Sequence, residues 1–195
     1  QSCSSLTSVT LSNSLKFLDT HLFYGCSSLV SVTIPDSVTA VGYGAFYYCS
    51  SLTSVTIPDS VTTFVTLVSQ EGTYAGARTF QGCKSLETVI IGDGLVSIPD
   101  YAFKGCPSLR NVTVGRNVTG IATSAFNGSD SIMSLTLKTP LVGATYTEGT
   151  SLVKTYFEDS ASKVEEIVVG DSVTSIGANA FARCSSLVSV TIPDS

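Results

Sequence analysis

The chain reads as an α/β repeat solenoid, and three features of the sequence predict it. A segment of 23 residues, clearest from Cys26 to Tyr48 as CSSLVSVTIPDSVTAVGYGAFYY, is written again with edits along the chain. A fixed period in the twenties means stacked coils. Its apolar positions Cys26, Leu29, Val32, Ile34, Val38, Val41, Ala45 and Phe46 recur at fixed phase, so every coil offers the same inward side. Within a coil the period also changes. Ser31, Val32, Thr33 and Ile34 alternate as a short strand does, Pro35 and Asp36 stop it, and Val38, Val41, Ala45 and Phe46 follow at i, i+3, i+7 and i+8. That helical spacing covers too few residues for a long helix and predicts one or two helical or 3₁₀ turns.

Coils start at Cys3, Cys26, Cys49, Cys83, Cys106, Ser129, Ala161 and Cys184, giving one solenoid over residues 1–195. Stacking at about 4.8 Å builds a parallel sheet on one face, expected to be concave, with the short returns on the convex side. Neither half of a coil buries its apolar side alone. Two coils are longer: the extra residues lie at about 65–78 and 142–156, in the returns, and each contains Glu-Gly-Thr followed by a phenylalanine, Glu71-Gly72-Thr73 with Phe80 and Glu148-Gly149-Thr150 with Phe157. The likeness points to a duplicated multi-coil unit, and Val65 to Tyr74 reads as a small hairpin turning at Glu-Gly. The chain begins at Gln1 and ends after the strand of its eighth coil, without a polar cap at either end. Repeat arrays normally close with such caps, so the segment is expected to come from a longer array or to meet other copies end to end.

Composition narrows the function classes. With 13% charged residues, a net charge of -5 and a pI near 4.7, the chain lacks the basic surface that nucleic acid requires. No apolar run approaches the roughly 20 residues of a membrane span, and no charged-then-apolar leader opens the sequence. Targeting signals are therefore expected outside the segment.

Catalytic inventory is missing. A nucleophilic triad needs a histidine between nucleophile and orienting group, and the single histidine, His21, sits in a return without a matched partner. The six cysteines share one repeat phase, so they read as buried free thiols in a row, too far apart along the stack for easy disulfides and unable to surround a metal ion. No metal site and no cofactor are expected. Asp36, Asp59, Asp93, Asp171 and Asp194 share a corner phase, where each reads as a cap of the turn that follows it; weak Ca²⁺ binding is the alternative.

Two surfaces remain as candidates for binding. Outward strand positions form a ladder, Thr10, Thr33, Thr56, Thr113, Thr136 and Thr191, interrupted by Ile90, Glu166 and Val168. It suits a glycan or, less well, ice; plain strand propensity of exposed threonine is the simpler reading. Tyr43, Tyr47 and Tyr48 on the returns, with Glu71, Thr73 and Tyr74 in the first insertion and Tyr146, Glu148 and Thr150 in the second, form a candidate ligand patch, because exposed tyrosine is enriched in interaction surfaces. Loop decoration is the plainer account. Asn111, Asn117 and Asn127 open N-x-S/T sequons.

The pattern CxxLxxVxIPxxVxxVxxxAF at 23 residues resembles the BspA-like, or treponemal-type, leucine-rich repeat. The resemblance covers nearly all of the chain and weakens at the two insertions and in the coils at Ser129 and Ala161, which lack the cysteine. It implies an extracellular or cell-surface location and a non-enzymatic adhesion or recognition module, with a host or matrix protein or a glycan as partner. It transfers no ligand-binding residue. The alternatives are a structural protein whose open ends stack into fibres or stalks, and glycan or ice binding by the Ser/Thr ladder.

Overall fold

The computed structural model describes residues 3–67, 76–157 and 160–194. The alternating start of each coil becomes a strand, and these strands stack in parallel and in chain order. Ser54–Ile57, Thr88–Ile91, Asn111–Val114, Ser134–Leu137, Glu166–Val169 and Ser189–Thr191 form a six-stranded sheet. Ser8–Val9 and Ser31–Val32 pair ahead of it, and the Thr53 N–H donating to Val30 O at 3.2 Å continues the stack. Register preserves phase: Val55, Val89, Val112, Leu135, Ile167 and Val190 lie opposite one another in turn. The insertions are thus carried entirely in the returns, and the sheet passes them without a slip.

Alternation sorts side chains across this sheet. Val55 and Ile57 are buried while Ser54 and Thr56 are exposed; the next four strands bury the same two positions, and the last, Ser189–Thr191, is exposed throughout. On the far side of the core one phenylalanine per coil stacks on the next. Ring centroids are 5.3 Å apart for Phe23–Phe46, 5.1 Å for Phe46–Phe80, 5.3 Å for Phe80–Phe103 and 5.2 Å for Phe103–Phe126, and Phe157 ends the row tilted at 4.8 Å.

The returns hold the short turns expected, closed by bonds such as Ala45 N to Gly42 O and Cys49 N to Phe46 O. They also hold an element the spacing did not reveal. Phe17–Leu18, Ala40–Val41 and Thr63–Phe64 form a second parallel sheet, and Ser97–Ile98 pairs with Gly120–Ile121. Val38 at the corner before the strand and Val41 within it are both buried, so their spacing of three matches that of a helical turn although no helix forms there. Among the described residues, the α-helix Leu152–Tyr156 and the 3₁₀ helix Pro140–Gly143 both belong to the second insertion. The hairpin expected in the first insertion lies largely outside the described residues; of those that flank it, Leu67 N–H donates to Gly76 O at 3.2 Å.

The cysteine row is a hydrogen-bond ladder. Cys49, Cys83 and Cys106 donate from sulfur to the carbonyl oxygens of Phe23, Phe46 and Phe80, the spine residues one coil back, at 3.1, 3.3 and 3.3 Å. Ser129 replaces the cysteine and makes the same bond to Phe103 O at 2.8 Å. Ala161 has no donor, and its neighbour Ser160 bonds instead to Ser129 O at 2.9 Å. All six thiols are free; Cys3 is exposed and Cys184 half-buried. Because Ser129 already fills the role, Cys106→Ser is expected to shift Tm by only a few degrees, on the scale of about 1 kcal/mol, measured by thermal denaturation.

Burial pushes the Cys49 and Cys106 thiols up from 9.0 to about 12, and raises Cys83 well above its ordinary value. Above pH 9 the unfolded chain then releases these protons while the folded chain keeps them. Stability is expected to be full below about pH 9 and to fall as pH rises toward 12. Denaturant midpoints compared at pH 8 and pH 10.5 measure the loss, and serine at these positions should flatten it.

Candidate functional site

Most coils close with a turn held by a left-handed residue; glycine supplies it at Gly25, Gly82, Gly105 and Gly128, with φ of 68, 75, 69 and 73°, and Arg183 holds the last one at 65°. At that same phase in the second coil stands Tyr48, at φ 61°. A side chain in this region costs about 1 kcal/mol or more. The Tyr48 ring is 45% exposed and rests against Gly82, where a Cβ would lie 2.4 Å from it. A bulky aromatic side chain therefore occupies the strained position, and bare backbone in the next coil makes room for it.

Its neighbours form a strip along the return edge of the first four coils. Tyr47 stacks on Tyr48 at 4.2 Å and meets Tyr24 of the preceding coil at 5.4 Å. His21 packs edge-on against Tyr24 at 5.3 Å and Tyr43 at 5.2 Å. Two coils on, Lys104 Nζ lies 4.9 Å and Arg78 Cζ 5.6 Å from the Tyr101 ring centroid, both in cation–π range. His21, Arg78 and Tyr101 are also left-handed, at 57, 50 and 63°. Four of the six described non-glycine residues with positive φ thus belong to this strip. Bonding and repulsion from Tyr47 raise the Tyr48 phenol above its ordinary pKa of 10.0.

The structure keeps only part of the patch expected from sequence. Tyr43, Tyr47 and Tyr48 come together; Glu71, Thr73 and Tyr74 lie outside the described residues. Tyr146 is corrected from surface to core. It is 8% exposed, its hydroxyl donates to Leu141 O at 3.0 Å, and burial raises its pKa. Glu148 is exposed, and Thr150 turns its hydroxyl to Thr147 O. His21, Tyr24, Tyr101, Arg78 and Lys104 were not singled out by sequence for this patch. The available signal was phase: Tyr24, Tyr47 and Lys104 share one repeat position, and Tyr48 takes a glycine's place.

The threonine ladder is in register, with Thr56, Ile90, Thr113, Thr136, Val168 and Thr191 side by side and Thr10 and Thr33 exposed ahead of them. A groove of about 610 Å³ lies over Thr56, Ile90 and Thr113 and is bounded by Asp59, Asp93, Arg116 and Lys138. Two of the corner aspartates are corrected from caps of their own turns to staples between coils: Asp59 accepts from Asp93 N at 2.7 Å, and Asp93 accepts from Arg116 N at 3.0 Å. The Arg116 backbone N–H, aided by its guanidinium at 2.6 Å, holds the Asp93 carboxyl below its ordinary range. Of the sequons, Asn111 donates to Thr88 Oγ1 and Asn117 to Asp93 O, while Asn127 is exposed but its partner Ser129 is buried.

A parallel solenoid of about 23-residue coils with a buried phenylalanine spine defines a leucine-rich repeat protein. The chain belongs to the BspA type leucine-rich repeat family, whose model matches in six copies over residues 1–68, 73–147 and 150–195. Members are typically non-catalytic, and the family points to a protein-interaction module. Among solved structures it is similar to a leucine-rich cell surface protein of Faecalibacterium prausnitzii, at 25% identity and a TM-score of 0.61, covering 97% of this chain and 55% of that one. A leucine-rich repeat protein of Eubacterium ventriosum shares the fold at 21% identity and a TM-score of 0.63, covering 96% and 44%. The leucine-rich repeat protein of T. pallidum aligns at 25% identity and a TM-score of 0.62, covering 93% and 78%. The chain thus spans about half the length of the first two. No curated protein matches it. No helix among the described residues is long and apolar enough to cross a membrane.

Proposed function

We propose that the chain is a non-enzymatic, extracellular or cell-surface recognition module that binds a host or matrix protein or a glycan through the strip on its return edge. The observation that carries this reading is Tyr48, an exposed aromatic residue held in a strained conformation where the repeat uses glycine. Strain of this kind persists at ligand-contacting positions because the surrounding structure enforces it. The cell-surface description of the Faecalibacterium relative supports the location. Wild type and a Tyr24→Ser, Tyr47→Ser, Tyr48→Gly variant should be compared on immobilised matrix proteins and glycans. Tyr48→Gly restores the repeat's own residue, so the variant should fold while binding at least tenfold more weakly. Equal binding by both would count against the strip. Thr33→Lys and Thr56→Lys test the ladder in the same panel, and retention of binding by them is expected. Electron microscopy tests end-to-end stacking, for which discrete monomers are the expected result.

A further inference from the structure

The strip has a ligand class written into its geometry. Its main-chain groups bond from coil to coil: Gly25 N to Tyr47 O at 2.8 Å, Tyr48 N to Gln81 O at 2.9 Å and Gly82 N to Lys104 O at 2.9 Å. An extended peptide is commonly held through a free backbone edge or through side-chain pockets. This edge is already bonded, and the groove described above lies on the opposite sheet. What the strip offers is ring surface, phenol hydroxyls and, toward the fourth coil, the Lys104 ammonium beside Tyr101.

Ring surface takes the C–H face of a pyranose by weak C–H to π contact, and phenol hydroxyls bond sugar hydroxyls. Spacing adds direction. Tyr24 and Tyr47, on adjacent coils and packed edge to face at 74°, have centroids 5.4 Å apart, and coils rise by about 4.8 Å, close to the advance of one sugar along an extended polysaccharide. The Lys104 ammonium favours a carboxylate, through a charge-assisted hydrogen bond. We propose that the strip binds an extended acidic polysaccharide laid along the solenoid axis, one sugar to a coil. This rests on the recognition reading above and names its ligand class.

The test is a length series of galacturonate oligosaccharides, from monomer to hexamer, titrated calorimetrically into the protein at about 0.15 M salt, where screening acts within about 8 Å. Affinity is expected to rise at least tenfold from monomer to tetramer and then level off, since the strip spans four coils. Tyr47→Ser with Tyr48→Gly should lose at least tenfold. Lys104→Gln should weaken the galacturonates severalfold while leaving neutral malto-oligosaccharides unchanged, and Thr56→Lys should change neither. Absence of galacturonate binding, affinity independent of length, or displacement by polyglutamate as effective as by tetragalacturonate would overturn the proposal. Loss of matrix-protein binding in the tyrosine variant without any galacturonate binding would overturn this ligand and leave the recognition reading standing.

Discussion

Phe80→Ala is expected to lower the stability of the solenoid by about 3–5 kcal/mol, read as a shift of the urea midpoint with the slope unchanged. Phe80 is fully buried and sits mid-spine, stacked at 5.1 Å on Phe46 and 5.3 Å on Phe103, with Phe64 at 6.1 Å from the side. Truncation opens a void between rings that coil-to-coil backbone bonds hold at fixed spacing, such as Phe46 N to Thr79 O and Phe80 N to Ala102 O at 2.9 and 2.8 Å. Collapse of the void is therefore limited, which places the cost toward the upper part of the range. Each coil rests only on its neighbours, so hydrogen exchange should accelerate most in the coils flanking Phe80. A loss under about 1 kcal/mol would mean that the spine is loosely packed.

Gly94→Ala should be comparably damaging for a different reason. The added Cβ would lie 1.9 Å from Asp59 O and 2.8 Å from Val61 O, backbone atoms of the preceding coil. Relief requires the stack to open at the corner where Asp59 bonds Asp93 N. Overpacking of this sort costs about 1–3 kcal/mol and occasionally more. Gly105→Ala is the control. Its Cβ meets nothing within 4 Å, so only its φ of 69° opposes the substitution, at about 1 kcal/mol. Paired thermal melts should rank Gly94→Ala as the more destabilised; the reverse order would show that conformation rather than space limits these glycines.

The scaffold was legible because every coil repeats the same packing problem. Ser31, Val32, Thr33 and Ile34 announce a strand by alternation, and the phenylalanine at fixed phase announces the spine. The second sheet was hidden since two residues, Ala40–Val41, are too few to show a period of two. Tyr146 was misread because an insertion has no repeat phase to reveal its direction; its hydroxyl bond to Leu141 exists only once the 3₁₀ helix Pro140–Gly143 forms. His21 gave the opposite difficulty. Alone in composition, it has Tyr24 beside it in its own turn and gains Tyr43 only through stacking of the coils. Asp59 and Asp93 likewise bond across coils, a choice local turn chemistry does not specify.

The central claim is that recognition lies on the return-edge strip while the repeat serves as scaffold. Ring resonances of ¹³C-labelled tyrosine test it most directly, during titration with whichever ligand the binding panel retains. Shifts at Tyr24, Tyr47, Tyr48 and Tyr101 are expected, with buried Tyr146 silent as an internal reference. Silent strip tyrosines, together with amide shifts at Thr33, Thr56 and Thr113 on the long sheet, would contradict the account.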